Sequence, residues 1–188
     1  MKRSASLICK VTCKVISAVM VIVIALGAGS SAWAATGDKA QAVIRSTADE
    51  ELALGVAQLK ETAEGLDLQA SFLGAPKGTH GFHIHAGASC ADAGNAAGGH
   101  YNPDNVEHGL LLDQGFEAAH AGDLGNVVIG EDGTALYTAL IPGLTLTGGK
   151  YPVANHAIIF HANPDDFSQP VGNAGSRVGC GLITLAAQ

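Results

Sequence analysis

Basic and aromatic residues are scarce in this chain. It has 10 lysines and arginines against 17 aspartates and glutamates in 188 residues, and aromatic residues make up 5%. The absence of a basic patch argues against nucleic acid as a partner. A basic amphipathic helix, which would bind a membrane surface, is also missing, so no stable membrane association is expected. The acidic balance disfavours anionic partners unless a local positive field is built at one site.

The sequence also lacks the periodicity of long helices, because no stretch sustains a helical apolar period beyond two turns. Short strand-like runs follow one another instead, and the run 66–72 alternates apolar and polar residues cleanly. Glu64-Gly65, Glu131-Asp132-Gly133 and Pro142-Gly143 are turn signals between such runs. The predicted strands are 42–46, 54–61, 66–73, 81–85, 126–129, 134–140, 157–161 and 182–185. Eight short strands predict an all-β antiparallel sandwich or barrel.

Residues 1–34 have the organisation of a secretory signal peptide. Four basic residues precede an apolar run at 15–28, and Ala32-Trp33-Ala34 is a small-residue cleavage site. The alternative is an uncleaved membrane anchor, but this run is shorter than the roughly 20 residues that span a bilayer. We therefore predict a cleaved signal at 1–34, a single domain at 35–188 and an exported protein, periplasmic in a bacterium and otherwise secreted.

Few cysteines remain after the predicted cleavage. Cys90 and Cys180 stay, and the net charge becomes −11, because four of the ten basic residues and none of the seventeen acidic ones lie in the leader. In an exported protein, an even pair predicts one disulfide, and two free buried thiols are the alternative. The remaining residues are enough for one domain with one hydrophobic core.

Histidine, in contrast, is plentiful and is spaced as metal ligands. His83 and His85 form a His-x-His sequence, and on a strand residues i and i+2 point to one face, so both rings can meet one metal. Imidazole suits copper and zinc, and three histidines with one carboxylate make a closed tetrahedral zinc shell. The candidate ligands are His83, His85, His100, His108, His120, Asp123 and His161. We interpret the other two histidines, His80 and His156, as structural or surface residues.

Two long segments, 86–124 and 162–181, do not follow the strand pattern. Both are rich in Gly, Ala, Asn and Asp, and they contain four of the seven candidate ligands and both cysteines. Loops of this length in a compact domain are normally functional or disordered. A metal and a disulfide would supply the order that side-chain packing does not, so the two segments are predicted to carry the function.

Four sequence motifs occur in order along the chain: GFHIH-x4-C, AGGHYNP, H-x-GDLGN and GNAGSR-x2-CG. Together they resemble the copper,zinc superoxide dismutase family, most closely its exported bacterial members, and the resemblance runs from about Val43 to Ala187. It implies an eight-stranded antiparallel Greek-key β-sandwich or flattened barrel with two long functional loops. It leaves open both a monomer and a homodimer.

The resemblance also implies one copper and one zinc per subunit. Copper would be bound by His83, His85, His100 and His161. Zinc would be bound by His100, His108, His120 and Asp123, with His100 shared between the two metals. Asp165 would hydrogen-bond the far nitrogens of His83 and His108, and its alternative interpretation is a turn residue in Asn-Pro-Asp-Asp.

The activity implied is conversion of superoxide to dioxygen and hydrogen peroxide by alternate reduction and oxidation of copper, with zinc in a structural and tuning role. His100 and Arg177 would be catalytic. His100 would take up and return a proton, and Arg177 in GNAGSR resembles the arginine that guides the anion to copper. Its alternative is a surface arginine paired with an acid. The segment 162–179 contains no lysine, so Lys150 and Lys77 are candidates for additional positive charge near the site.

Two functions of other classes use the same residues. One is a protein that stores or delivers copper or zinc, and the other is a structural β-sandwich that uses metal only to fold. The presence of both Arg177 and the shared His100 favours the enzyme, because neither alternative needs them.

Overall fold

Strands make up nearly all the regular structure between residues 38 and 187, the part of the chain that the computed structural model describes. The predicted signal at 1–34 lies outside these residues. In chain order the strands are β1 (Lys39–Ser46), β2 (Ala53–Thr62), β3 (Gly65–Phe72), β4 (Gly78–His85), β5 (Asp123–Ile129), β6 (Ala135–Ile141), β7 (Leu144–Thr145), β8 (Tyr151–Pro152), β9 (Ala157–His161), β10 (Arg177–Leu182) and β11 (Thr184–Leu185). The helical elements described are a 3-10 turn at Asn95–Ala97 and one turn of α-helix, α1 (Leu111–Gln114). Within residues 38–187, no helix combines the length and apolar character needed to cross a membrane.

The main sheet is antiparallel and almost closes on itself. Its strand order is β5-β4-β9-β10-β1-β2-β3-β6, and β11 extends the line of β10 along β1. The two end strands, β5 and β6, are consecutive and are joined by a tight turn at 130–134, which brings the edges of the sheet together. Since β9 returns to lie beside β4, the topology is a Greek key. The predicted eight-stranded antiparallel fold is confirmed; β7 and β8 form a separate parallel pair.

The interior of the barrel is filled by alternate residues of each strand. On β3, Leu66, Leu68, Ala70 and Phe72 are buried, while Gln69 and Ser71 between them are exposed. The ring of Phe72 contacts those of Phe82 and Phe160, with centroids 5.7 Å and 5.1 Å apart. The alternation in the sequence therefore corresponds to the two faces of the sheet.

The three predicted turns are also confirmed. Thr62 pairs with Gly65 across a two-residue hairpin between β2 and β3. Gly133 and Gly143, with φ values of 74° and 91°, adopt the left-handed conformation that glycine permits without steric cost.

The end of the chain differs from the prediction. The last strand was expected at 182–185, but β10 already begins at Arg177, inside the segment predicted to be a loop. Gly179 and Gly181 explain the difference, because they let β10 lie close against β1. A Cβ atom at Gly181 would be 2.6 Å from the carbonyl oxygen of Val43. Because glycine has no side chain, β10 shows no alternation of apolar and polar residues from which a strand could be predicted.

His83 and His85 of β4 and His161 of β9 point away from the barrel interior, whereas His80 of β4 lies on the inner side against Phe160. Phe82 and Ile84 face the core, so His83 and His85, at the alternate positions, face outward. These outward rings are nevertheless buried, at 0% and 2% exposure. The connections 86–122 and 162–176 cover this outer face, and the candidate site therefore lies between the barrel wall and the two loops.

We expect Gly181→Ala to lower the free energy of unfolding by about 1–3 kcal/mol, the usual cost of forcing atoms into a packed region. The added Cβ would meet backbone atoms of β1, which cannot rotate away. Chemical denaturation measures the loss. Gly99→Ala is the matched control, because nothing lies within 4 Å of a Cβ at that position. Equal stability of the two variants would contradict this account of β10.

Candidate metal centre

The structure brings the seven candidate ligands into two buried groups. In each group the potential ligand atoms all lie within 4.8 Å of one another. We name the first the histidine set; it consists of His83, His85, His100 and His161. We name the second the carboxylate set; it consists of His100, His108, His120 and Asp123. His100 belongs to both.

In the histidine set, one nitrogen of each strand-borne ring is fixed by a hydrogen bond. Nε2 of His83 lies 2.8 Å from Oδ2 of Asp165. Nδ1 of His85 lies 2.9 Å from the carbonyl oxygen of Gly98, and Nδ1 of His161 lies 3.2 Å from that of Gly175. The remaining nitrogens are turned toward one another, with Nε2 of His85 and of His161 only 3.2 Å apart. Such outer hydrogen bonds orient metal-binding imidazoles.

The carboxylate set is organised around Asp123, which is fully buried at the start of β5. Its Oδ1 lies 2.8 Å from Nδ1 of His100 and 3.1 Å from Nδ1 of His120. Its Oδ2 lies 2.9 Å from Nδ1 of His108 and accepts a hydrogen bond from the backbone N–H of His120. Three imidazoles and one carboxylate therefore converge from different directions.

Two ring nitrogens test whether a metal fits. Among the residues described, Nδ1 of His83 and Nδ1 of His108 are the buried side-chain polar atoms without a hydrogen-bond partner. Nδ1 of His108 lies 2.9 Å from Oδ2 of Asp123 but forms no hydrogen bond with it. An unsatisfied buried polar atom is costly, and each of these two lies in a different ligand set. The residues fit two metal ions, one per set.

Asp165 lies between the two sets and is buried. Its Oδ2 contacts Nε2 of His83, and its Oδ1 contacts Nε2 of His108 at 2.9 Å. One carboxylate thus fixes a ring of each set at the nitrogen opposite the unpaired one. The role of Asp165 in a metal-loaded protein stays a prediction.

Burial keeps the rings of His85, His100 and His161 in the neutral form that binds metals. It lowers the pKa of His85 to about 2, that of His161 to about 3 and that of His100 to about 4. Burial alone would raise the pKa of Asp123, but hydrogen bonds from His100 and His120 and the adjacent ring of His108 hold it well below its ordinary value.

His108 differs from these rings. Burial disfavours its charged form, but the carboxylates of Asp123 and Asp165, each 2.9 Å from a ring nitrogen, outweigh that effect and raise its pKa to about 9. Without a metal, His108 is therefore a cation held between two carboxylates at neutral pH.

A small opening of about 170 Å³ leads from the surface to the histidine set. It is lined by His85, His100, His161, Val171, Asn173 and Arg177, among others. Among the described residues that line this opening, Arg177 is the one that carries a permanent charge. The guanidinium group of Arg177 donates hydrogen bonds to the carbonyl oxygens of Gly94 and Gly98, and the hydroxyl of Thr47 donates to its backbone oxygen at 2.7 Å.

The predicted disulfide between Cys90 and Cys180 is present, with Cα atoms 5.7 Å apart. It joins the first loop to β10, three residues after Arg177. The same loop supplies the carbonyl groups of Gly94 and Gly98 that hold the guanidinium group. The disulfide therefore helps to position Arg177 at the opening.

The other candidate cations do not contribute to this opening. Lys77 pairs with Glu131, and Lys150 pairs with Asp104, each at 2.9 Å, and neither lysine lines the opening. The expectation that they supply positive charge beside Arg177 has no support in these positions.

His80 and His156 belong to neither ligand set. Nδ1 of His80 lies 2.8 Å from the carbonyl oxygen of His161, and Nδ1 of His156 lies 3.1 Å from that of His85. Both rings thus contact the backbone of histidines in the histidine set, which agrees with the structural interpretation.

Two amide side chains near the site were not identified from the sequence. Asn126 and Gln169 bind the backbone of Asp165 and His108, respectively. Asn126 stands within the motif H-x-GDLGN, which is the available sequence signal, whereas Gln169 has none.

Metal binding at the carboxylate set should release a proton from His108. Because the pKa of this residue is raised to about 9, metal-free His108 keeps its proton below that pH, and an ion on Nδ1 must displace it. We expect the number of protons released per zinc ion to fall by about one as the pH rises through about 9, and the apparent affinity to rise with pH up to that point. Calorimetry in buffers of different ionisation enthalpy measures this number. A proton release independent of pH between 7 and 10 would contradict it.

Comparison with known proteins agrees with this geometry. Residues 53–183 match the copper/zinc superoxide dismutase family. A double mutant of an SOD-like protein from Bacillus subtilis is 34% identical, with a TM-score of 0.67, over 77% of this chain and 96% of that one. The clock protein EA4 is 29% identical, with a TM-score of 0.69, over 79% of this chain and 95% of that one. The chain therefore belongs to the copper/zinc superoxide dismutase family.

Proposed function

We propose that the protein is a copper,zinc superoxide dismutase, in which two superoxide anions and two protons give one dioxygen and one hydrogen peroxide. The observation that supports this most is the asymmetry of the two ligand sets. They share His100, but the described opening is lined by residues of the histidine set, and none of the other three members of the carboxylate set lines it. An opening that reaches one set and not the other suits a reactive metal beside a structural metal.

The histidine set would bind copper, and the carboxylate set would bind zinc. Four imidazoles suit copper, and three imidazoles with one carboxylate suit a closed zinc shell. When bound, copper would supply the one-electron exchange with superoxide, and zinc would supply a fixed positive charge beside His100.

Arg177 would bind the substrate. A guanidinium group has five N–H donors, and the carbonyl groups of Gly94 and Gly98 engage its two terminal nitrogens without using all of them. A small anion in the opening can accept the remaining donors. In a body of net charge −11, this local cation would raise the rate of encounter by roughly 10–10³-fold.

His100 would hold and return a proton. Its Nδ1 is directed at Asp123, and its ring takes part in both ligand sets. The peroxide product is a much stronger base than an imidazole ring, so a proton held on this ring would pass readily to it. Asp165 would keep the rings of His83 and His108 in one tautomer and orientation throughout.

The proposal extends to the organisation of the chain and its compartment. Residues 1–34 would be removed on export, and residues 35–188 would form the enzyme in the periplasm or outside the cell. The disulfide between Cys90 and Cys180 supports this location, because such bonds persist in oxidising compartments.

A metal storage or delivery protein is the second candidate. It would use the same two ligand sets, and the names of the similar structures, an SOD-like protein and a clock protein, do not state dismutase activity. A storage protein would bind copper with the same stoichiometry but would not consume superoxide, so the two measurements together separate the candidates.

We expect the copper- and zinc-loaded protein to consume superoxide catalytically, and His161→Ala to lower the rate by more than about 100-fold, beyond the 10–100-fold typical when only a partner of a ligand is lost. His161 belongs to the histidine set alone, so zinc content should stay unchanged. Stopped-flow decay of superoxide and elemental analysis measure both. His156→Ala, at a histidine outside both sets, is the matched control and should retain most of the activity. Stoichiometric copper without superoxide consumption by the unchanged protein would refute the enzyme.

The second-order rate of superoxide consumption should fall as the charge of the side chain at position 177 becomes less positive. We expect Arg177→Lys to retain most of the rate, Arg177→Ile to lower it and Arg177→Glu to lower it further. The unchanged protein should also slow as salt rises, because screening limits the reach of the field to about 10 Å at 0.1 M. This salt dependence should shrink in Arg177→Ile.

The copper spectrum is the control for intact ligands in this series. Arg45→Ile makes the same change at an arginine that does not line the opening, and it should leave the rate unaffected. Equal rates for Arg177→Ile and Arg177→Glu at every salt concentration would show that Arg177 does not guide the substrate.

A further inference from the structure

Asn126, on β5, holds Asp165 by both polar atoms of its side chain. Nδ2 of Asn126 donates to the carbonyl oxygen of Asp165 at 2.9 Å, and the backbone N–H of Asp165 donates to Oδ1 of Asn126 at 2.7 Å. The amide thus replaces a strand partner for a residue that belongs to no strand. It ties the second loop to the barrel wall at the residue that contacts both ligand sets.

Gln169, in the second loop, holds His108 in the same way. The backbone N–H of His108 donates to Oε1 of Gln169 at 3.0 Å, and Nε2 of Gln169 donates to the carbonyl oxygen of His108 at 2.8 Å. Because His108 lies in the first loop, this amide joins the two loops to each other.

Each amide holds the backbone of one of two residues in contact, since Oδ1 of Asp165 and Nε2 of His108 are 2.9 Å apart and both residues are buried. The surrounding segment fits closely around this contact. A Cβ atom at Gly172 would overlap Oδ1 of Asp165 and would lie 2.6 Å from Nε2 of His108. The backbone N–H of Gly172 in turn donates to the carbonyl oxygen of Ser168 at 2.7 Å.

We propose that Asn126 and Gln169 are positioning residues with different reach. Gln169 sets the backbone of His108 and therefore acts on the carboxylate set alone, whereas Asn126 sets Asp165, which orients His83 as well as His108, and therefore acts on both sets. The proposal rests on the assignment of copper and zinc given above.

Replacing each amide with its isosteric acid removes one hydrogen bond and keeps the other. In Gln169→Glu and Asn126→Asp, a carboxylate oxygen would face a carbonyl oxygen in place of the N–H donor, while the acceptor oxygen stays. The backbone of Asp165 or His108 is then repelled at its carbonyl oxygen, while the volume of the side chain is unchanged. Loss of a group that orients a metal ligand typically costs about 10–100-fold in metal affinity.

Asn102 provides the matched control. Its Nδ2 donates to the carbonyl oxygen of Val106 at 2.9 Å, and the N–H of Val106 donates to its Oδ1 at 3.1 Å. Asn102→Asp therefore makes the same chemical change at an amide–backbone pair in the first loop that holds no residue of either set.

The experiment loads the mature protein with copper and zinc and measures the rate at which a chelator removes each metal. We expect Gln169→Glu to speed zinc loss by about 10–100-fold and Asn126→Asp to speed the loss of both metals by about 10–100-fold. Copper loss from Gln169→Glu, and both rates in Asn102→Asp, should stay within about threefold of the unchanged protein. The spectrum of cobalt bound in place of zinc should change in both amide variants, and the copper spectrum in Asn126→Asp alone.

Equal loss of copper and zinc from Gln169→Glu would overturn the proposal, as would unchanged zinc rates or a control that behaves like the variants. If Asn126→Asp fails to fold, Gln169→Glu and the isosteric Gln169→Met decide, since each must release zinc selectively. These rates are read without superoxide, so a protein that holds both metals but consumes none would refute the dismutase and leave this proposal standing. A protein that holds no zinc would overturn both.

Discussion

The carboxylate of Asp165 is the contact that links the two ligand sets. It reaches one ring from a barrel strand and one from the first loop, and it comes itself from the second loop. Three separate parts of the chain therefore meet at one buried group. The unpaired nitrogens of His83 and His108 face the two ligand sets, and their opposite nitrogens are held here. Removal of this carboxylate would free both rings at once.

The loops around this contact are ordered by polar and covalent bonds as well as by the packing of Tyr101, Leu111, Ala119 and Ala121 against the main core. The core of the barrel accounts for most of the buried apolar residues, and the smaller cluster under the first loop contains only Ala97, Ala157, Ile159 and Cys180, with two partly buried neighbours. Order in the loops also comes from the disulfide, from side-chain amides on backbone groups and from arginine on carbonyl oxygens. Polar bonds of this kind have directions, and they fix a ligand more tightly than a nonspecific apolar contact does.

The sequence predicts those parts of the structure that follow a period or a motif. Alternation on β3 and the spacing of His83 and His85 translate directly into faces of a sheet, so the fold class is accessible, whereas the grouping of the seven ligands follows from the resemblance of the four motifs to a known family. The start of β10 is not accessible, because Gly179 and Gly181 serve close packing and leave no pattern. The role of Gln169 cannot be predicted from the sequence either. Its side chain binds the backbone of His108, which is distant in the sequence, and such a contact leaves no motif or fixed spacing.

The two faces of β4 carry different tasks, and this makes strand register a condition of chemistry. Phe82 pairs with Phe160 inside the barrel, while His83 pairs with Ile159 on the outer face. A slip of one residue between these strands would exchange the faces, placing imidazoles in the hydrocarbon interior and a phenyl ring beneath the loops. A chain misfolded in this way would lose its core and its ligands together. Only the correct register of β4 and β9 therefore gives both a hydrophobic core and a complete set of histidines under the loops.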